Sequence, residues 1–198
     1  MRNFRERGTH WRNAKNPRLR ELAMWEAYKY DPNSEDIERD SDGTITVCFG
    51  STGAELTLRV IDSEAIGIFG FGHCAILAWE LHKVTGLPLA VFDSKHESPY
   101  AGWSGHVALR LAPDLFLDIE GVMSKRDIHE RYRNALQEEP RVLDDEAFLD
   151  LMVPEENRED PKQYLCELEQ LVLEDFVDFL REKHAEKLAN AAVEFVVA

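Results

Sequence analysis

The sequence predicts an α+β fold in which a helix that begins with a cysteine packs on an antiparallel sheet, with a C-terminal helical extension. Three observations predict this class. Residues 44–49 and 55–61 alternate and are rich in β-branched side chains, which is typical of two strands that form a hairpin. Residues 74–85 have the apolar spacing of a helix. Strand patterns at 106–111 and 115–119, separated by a short turn, predict a meander after that helix.

The segments before the hairpin are polar or basic. Residues 1–16 are predicted to be an irregular arm, and Pro17 opens a helix with roughly helical apolar spacing that runs to about Tyr30. Residues 33–43 are predicted to be a polar loop that closes on an Asp-Gly turn.

The cysteine helix is framed by glycines. An apolar, glycine-punctuated stretch at 66–72 leads into it, and Gly86 is predicted to end it. Residues 87–92 then predict a strand, and residues 93–104 a loop.

The C-terminal part is predominantly helical in its pattern. Helices are predicted at 124–137 and 145–152, followed by an acidic break at 154–161. A long amphipathic helix is predicted at 162–192, with one apolar stripe at Leu165, Leu168, Val172, Phe176, Phe179 and Leu180. The predicted organisation is therefore a basic arm and helix (1–32), an α+β core (33–137) and an acidic helical extension (138–198).

Composition limits the classes of function. The 198 residues carry a net charge of −15, while residues 1–20 alone hold seven basic side chains and one acidic side chain. The rest of the chain is therefore strongly acidic and should repel nucleic acid and anionic membrane surfaces. The basic arm either docks on this acidic body or contacts RNA or DNA, and the first interpretation is preferred because basic runs are more often self-paired.

The cysteine count and the N-terminus indicate the compartment. The three cysteines Cys48, Cys74 and Cys166 are widely spaced and odd in number, which argues against a disulfide framework. The first 20 residues lack the apolar core of a signal peptide, and no run of about 18 apolar residues predicts a membrane span. We therefore expect a cytoplasmic protein without a membrane partner.

A cysteine, a histidine and an aspartate follow one another in an order suited to acyl transfer. Cys74 begins the predicted helix, where peptide dipoles and unpaired N–H groups favour a thiolate. His106 begins a strand, from which its imidazole can act as a base towards the thiol. Asp118 lies in the next strand and can orient the imidazole if the two strands are neighbours. Asp114, in the intervening turn, is the reserve carboxylate.

Other residues are predicted to complete this site. The glycines Gly70 and Gly72 permit close backbone approach and free N–H groups at an oxyanion hole. His73 is predicted to line the pocket or to supply a backbone N–H, and Trp103 to wall the cleft. In an alternative interpretation His73, Cys74 and His106 bind a metal. Their spacing does not match the paired spacing of zinc sites, so neither metal nor cofactor is expected.

Three segments resemble the papain-like and transglutaminase-like superfamily of cysteine enzymes: Gly72–Leu81, Gly105–Leu109 and Leu117–Gly121. They are also similar to small phage and bacterial proteins with a comparable Gly-His-Cys, His-Val and Leu-Asp-Ile-x-Gly series. The resemblance covers roughly residues 66–123. It implies a helix packed on an antiparallel sheet, with Cys74 as nucleophile and His106 and Asp118 as base and orienting group.

The chain departs from the peptidase pattern near the cysteine. Papain-like peptidases have a glutamine shortly before the nucleophile, whereas residues 66–72 contain no amide side chain. Ala75, and not an aromatic residue, follows the cysteine. This difference moves the expectation from peptidase activity towards amidase, deamidase, transglutaminase or acyltransferase chemistry.

The function expected from the sequence is thus a thiol-dependent amide hydrolase or acyltransferase, with a protein or small molecule as the amide-containing substrate. The alternative is a catalytically inactive interaction or inhibitor protein that keeps the fold, including an acidic mimic of nucleic acid. In that case the apolar stripe of helix 162–192 would pair with a partner or with a second copy. Packing of the stripe on the protein's own core is the simpler interpretation.

Overall fold

The computed structural model describes residues 37–39, 45–49, 54–95, 105–133, 135–152, 162 and 165–197. They fall into two compact groups, each described by itself: residues up to Val60 together with Leu165–Phe176, and residues 61–162 together with 177–197. The predicted arm and helix at 1–32 lie outside the described residues. The division into 1–32, 33–137 and 138–198 stays a prediction.

The first group contains a three-stranded antiparallel sheet in the order β1-β2-β3. Its strands are β1 (Ile37–Arg39), β2 (Ile45–Phe49) and β3 (Ala54–Thr57). The β2–β3 hairpin confirms the prediction, but β1 lies inside the segment that was expected to be a loop. The strand predicted at 55–61 is too long, because Arg59 has a left-handed φ of +63° that ends the extended backbone.

The second group is built on a five-stranded antiparallel sheet in the order β7-β6-β5-β4-β8. Its strands are β4 (Leu89–Asp93), β5 (Gly105–Ala112), β6 (Leu115–Asp118), β7 (Gly121–Ser124) and β8 (Arg141–Leu143). The predicted meander is confirmed as β5–β6 and continues into β7. The sequence pattern predicted neither β7 nor β8.

Two helical segments precede the sheet in the chain. Helix α1 (Ser63–Ile66) is capped by Asp62, whose Oδ1 accepts a hydrogen bond from the Ala65 N–H at 2.9 Å. It continues as a π-helical turn (Gly67–Gly72). Helix α2 (Cys74–Thr85) has the predicted bounds, and Gly86 ends it in the left-handed conformation, with φ +70°.

The remaining helices correct two predicted lengths. Helix α3 (Lys125–Arg131) begins with a capping box, but it ends before the predicted residue 137 because Arg133 is left-handed, with φ +51°. Helix α4 (Asp145–Met152) is as predicted. The single helix predicted at 162–192 is two helices, α5 (Glu167–Lys183) and α6 (Ala185–Val197). The acidic break at 154–161 lies outside the described residues.

Two apolar clusters cover the five-stranded sheet. In the first, Ala78 and Trp79 of α2 pack with side chains of β4, β5 and α4, namely Leu89, Val91, Val107 and Phe148. In the second, alternate residues of the same strands pack with α3 and the segment after it: Ala90, Phe92, Ala108, Phe116, Ile128 and Leu136. Alternation along the strands therefore fills both faces, and the sheet positions the candidate site at the start of β5 and the end of β6.

Within the described part of the chain, no single helix is both long and apolar enough to cross a membrane, although α1 with its π-helical turn and α2, bent by 85°, pass that test as a pair.

Candidate thiol site

Cys74 is the first residue of α2 and is buried, with 4% of its surface exposed. The π-helical turn precedes it in the chain, and the His73 N–H donates to the Ile68 carbonyl at 2.6 Å at the end of that turn. No described side chain caps the N-terminus of α2. The thiol therefore lies at the positive end of the helix dipole, where a negative charge is favoured.

His106 and Asp118 are neighbours on one face of the sheet. Leu109 pairs with Leu117, and continuing this antiparallel register places Asp118 close to His106 across the two strands. The His106 Nε2 lies 3.0 Å from Asp118 Oδ2, and both side chains are almost fully buried. The other carboxylate oxygen accepts the Glu120 N–H at 2.8 Å. Both oxygens of Asp118 thus hold the imidazole and the following turn in place.

Cys74 approaches the same imidazole. Its side chain is near enough to the imidazole to raise the pKa of His106. The structure therefore brings together the three residues that the sequence singled out, although 32 and 12 positions separate them along the chain.

Tyr132 is a fourth member of the site, and sequence reasoning missed it. It follows α3 and lies between the two segments of the site, with its hydroxyl 2.5 Å from the Gly70 carbonyl and 2.8 Å from His106 Nδ1. Its ring centroid is 4.9 Å from that of His106 and 5.1 Å from that of Phe71. No local pattern could have identified Tyr132, because its position depends on where α3 ends and on contacts with residues distant in sequence.

The hydrogen bonds of His106 define its charge. The Asp118 carboxylate and the Gly70 carbonyl can only accept, so Nε2 donates to Asp118 and the single phenolic hydrogen of Tyr132 goes to Gly70. Tyr132 is then an acceptor for His106, and Nδ1 must donate to it. With both ring nitrogens protonated, this pattern assigns His106 as an imidazolium.

The electrostatic environment of His106 agrees with this assignment. Burial lowers its pKa, but hydrogen bonds to Asp118 and Cys74 and their negative charges outweigh burial and raise the pKa from 6.5 to about 9. Burial, with the nearby Cys74 and Asp118, raises the pKa of the Tyr132 hydroxyl above its ordinary 10.0. The phenol therefore stays protonated and keeps its hydrogen for the carbonyl of Gly70.

This raised pKa has a consequence for stability. A group with a folded-state pKa above its unfolded value stabilises the fold fully below the unfolded pKa, and this contribution is lost as pH rises through the folded pKa. For His106 the window runs from 6.5 to about 9. We expect the difference in free energy of unfolding between wild type and His106→Gln to shrink across this window, as measured by urea denaturation. A difference that is constant or grows with pH would contradict the imidazolium.

The other predicted pocket residues have different positions. Gly72 is exposed, and a Cβ built there would meet no described atom within 4 Å, so close packing does not require this glycine. The N–H of His73 is committed to Ile68 and cannot serve an oxyanion hole in this arrangement. Trp103 lies outside the described residues. Phe71, which the sequence reasoning did not assign, is 59% exposed beside Tyr132.

Other titratable residues have separate roles. His82 donates from Nδ1 to the Leu87 carbonyl (2.8 Å), its Nε2 lies 3.0 Å from Asp145 Oδ1, and His129 Nε2 lies 3.2 Å from the Glu138 carbonyl oxygen. Asp114, the reserve carboxylate, lies in an exposed turn and pairs with Lys125 at 3.2 Å. Among the described residues, no three His, Cys, Asp or Glu side chains are grouped to hold a metal ion.

Comparison with known proteins found no protein-family model, no curated protein and no solved structure that matches the chain. The four clustered side chains are therefore the feature from which a function can be inferred.

Proposed function

We propose that the chain is a thiol-dependent hydrolase or acyltransferase that acts on an amide bond, related to the papain-like and transglutaminase-like superfamily. The observation that carries this proposal is the buried pair of His106 and Asp118, 3.0 Å apart, with Cys74 near enough to the imidazole to raise its pKa. A cation beside a thiol at a helix N-terminus favours the thiolate, which is the nucleophilic form of cysteine.

In the first half of the reaction the Cys74 sulfur attacks the carbonyl carbon of the amide. The C–N bond breaks, the leaving nitrogen takes a proton from His106, and a thioester remains on the cysteine. The N-terminal backbone N–H groups of α2 are suited to bind the oxyanion, a task that a glutamine side chain shares in papain-like peptidases.

In the second half, water or an amine attacks the thioester carbonyl. The neutral His106 takes the proton of the attacking group, the C–S bond breaks, and the thiolate–imidazolium pair is restored. Asp118 keeps Nε2 bound throughout, so that Nδ1, which donates to the Tyr132 hydroxyl in the resting site, is the nitrogen that exchanges protons with the thiol and the substrate. A working thiolate requires a reducing compartment, consistent with the cytoplasmic location expected from the sequence.

Alkylation by iodoacetamide tests the thiolate without knowledge of the substrate. We expect Cys74 to react at least about tenfold faster than Cys166 near pH 6, where an ordinary thiol is protonated. Cys166 is an internal reference in the same sample, because the residue is exposed as a whole and the partial burial of its thiol raises its pKa. Peptide mass spectrometry separates the two rates.

Histidine variants supply the control for that experiment. His106→Gln should slow alkylation of Cys74 to the rate of the reference thiol, while His129→Gln should leave it unchanged, because the His129 ring nitrogen bonds to the Glu138 carbonyl, which lies outside the thiol site. An acyl probe such as p-nitrophenyl acetate should acetylate Cys74 and give a burst that Cys74→Ala removes. A Cys74 that is unreactive in the folded wild-type protein would instead support the non-catalytic interaction or inhibitor protein.

A further inference from the structure

The Tyr132 hydroxyl connects the two chain segments that carry the thiol and the base. It donates to the carbonyl of Gly70, in the π-helical turn directly before Cys74, and it receives the Nδ1 hydrogen of His106. The oxygen–oxygen distance of 2.5 Å is at the short end of the hydrogen-bond range, and the nitrogen–oxygen distance of 2.8 Å lies within it. One hydroxyl thus fixes the imidazole relative to the turn that presents the nucleophile.

The acceptor role of this hydroxyl matters for the charge of His106. Burial disfavours an imidazolium, and an acceptor on Nδ1 offsets part of that cost. Because Tyr132 is neutral, it adds this acceptor without a second negative charge that would compete with the thiolate for the imidazolium. Its ring also packs on the imidazole, with 34° between the planes.

Tyr132 also restricts the orientation of the imidazole. Asp118 holds Nε2, and the phenolic oxygen marks the direction of the opposite nitrogen. With both nitrogens bound, the ring cannot rotate without breaking two hydrogen bonds in a buried site, where an unpaired donor is costly. Nδ1, the nitrogen that the proposed reaction uses, is therefore held in one orientation.

We propose that Tyr132 is a positioning residue of the thiol site, whose hydroxyl keeps His106 in the imidazolium form and ties it to the turn that presents Cys74. The role in catalysis rests on the proposed function, whereas the coupling between the hydroxyl and the imidazole does not.

Tyr132→Phe removes the hydroxyl and keeps the ring that packs on Phe71 and His106. We expect the pKa of His106, followed by NMR and assigned with His106→Gln, to fall in this variant below its wild-type value of about 9, because Nδ1 loses its acceptor. A lower imidazole pKa moves the proton equilibrium of the pair towards neutral thiol and neutral imidazole. Alkylation of Cys74 near neutral pH should consequently slow several-fold.

Thr85→Val is the matched control, because it also removes a hydroxyl that donates to a backbone carbonyl, that of Leu81 at 2.7 Å. It should leave both the His106 titration and the alkylation rate unchanged. If Tyr132 had a role in packing alone, Tyr132→Phe would also leave the His106 titration and the alkylation rate unchanged, and this result would overturn the proposal. Faster alkylation in Tyr132→Phe would overturn it as well, since the hydroxyl would then be blocking Nδ1.

Two further measurements separate this proposal from the proposed function. In the wild-type protein, the ¹⁵N shifts of the His106 ring should be those of an imidazolium at neutral pH, and a neutral tautomer would contradict the coupling even if Tyr132→Phe does not fold. The titration is then repeated in Cys74→Ala with and without Tyr132→Phe. If Tyr132→Phe still lowers the pKa of His106 in this background and the wild-type Cys74 does not react with iodoacetamide, the enzymatic function is refuted and the coupling is supported. If Cys74 reacts but Tyr132→Phe leaves the pKa of His106 unchanged, only the coupling is refuted.

Discussion

Asp118→Ala should lower the free energy of unfolding at neutral pH by about 3–5 kcal/mol, which is typical of removing one partner from a buried charged pair. The carboxylate is 3% exposed and serves two donors, His106 Nε2 and the Glu120 N–H. Truncation leaves both donors without their acceptor in a buried site, and it opens a cavity beside the imidazole. Urea denaturation monitored by tryptophan fluorescence measures the effect.

Two asparagine variants resolve that result into its causes. Asp118→Asn keeps the side-chain volume but loses the charge, so we expect a smaller loss of stability and a clear fall in the pKa of His106, because the bond to Asp118 is the largest of the interactions that raise it. Asp114→Asn removes an exposed carboxylate that pairs with Lys125, and should cost less than about 1 kcal/mol. A loss in Asp118→Ala no larger than in Asp114→Asn would show that the buried pair does not hold the site together.

The same variants bear on the chemistry of the thiol. Without Asp118 the His106 ring loses both its orientation and the charge that favours the imidazolium. Alkylation of Cys74 should therefore slow in Asp118→Asn and Asp118→Ala but not in Asp114→Asn, when Cys166 again serves as the reference. Slow alkylation in the stable Asp118→Asn variant would separate an electrostatic effect from a loss of structure.

The local pattern of the sequence was sufficient where an element depends on its own residues. The apolar spacing from Cys74 and the stop at Gly86 gave the bounds of α2, and alternation gave the strands on which His106 and Asp118 lie. The order of these elements was also enough to group the thiol, the imidazole and the carboxylate, because consecutive antiparallel strands are usually neighbours.

The pattern was not sufficient where distant contacts decide the structure. The short strand β8 has little periodicity of its own and exists as a strand through its pairing with β4. The hydrogen bonds of the π-helical turn before Cys74 span five residues and not the four of an α-helix, which apolar spacing does not reveal. Tyr132 lies in the site because α3 ends one residue before it, whereas the apolar spacing predicted a helix that continues to residue 137.

Phe92→Ala is expected to be the second large effect, a loss of about 3–5 kcal/mol, which is typical of truncating a buried phenylalanine. Phe92 is fully buried in the central part of the sheet and lies directly opposite His106 in the β4–β5 register. Its ring packs edge to face on Phe116, with centroids 5.1 Å apart, and lies 6.4 Å from the imidazole. Phe92→Leu should cost less, because leucine fills most of the same space.

Val142→Ala is the control on the same sheet, because Val142 is 44% exposed on β8 and its truncation should cost less than about 1 kcal/mol. If the packed rings of Phe92 and Phe116 hold the imidazole in place, Phe92→Ala should also slow alkylation of Cys74 under conditions in which the variant is still folded. Phe92→Leu should then keep most of the wild-type rate. A destabilised Phe92→Ala that alkylates at the wild-type rate would mean that Asp118 and Tyr132 orient His106 without support from the core beneath it.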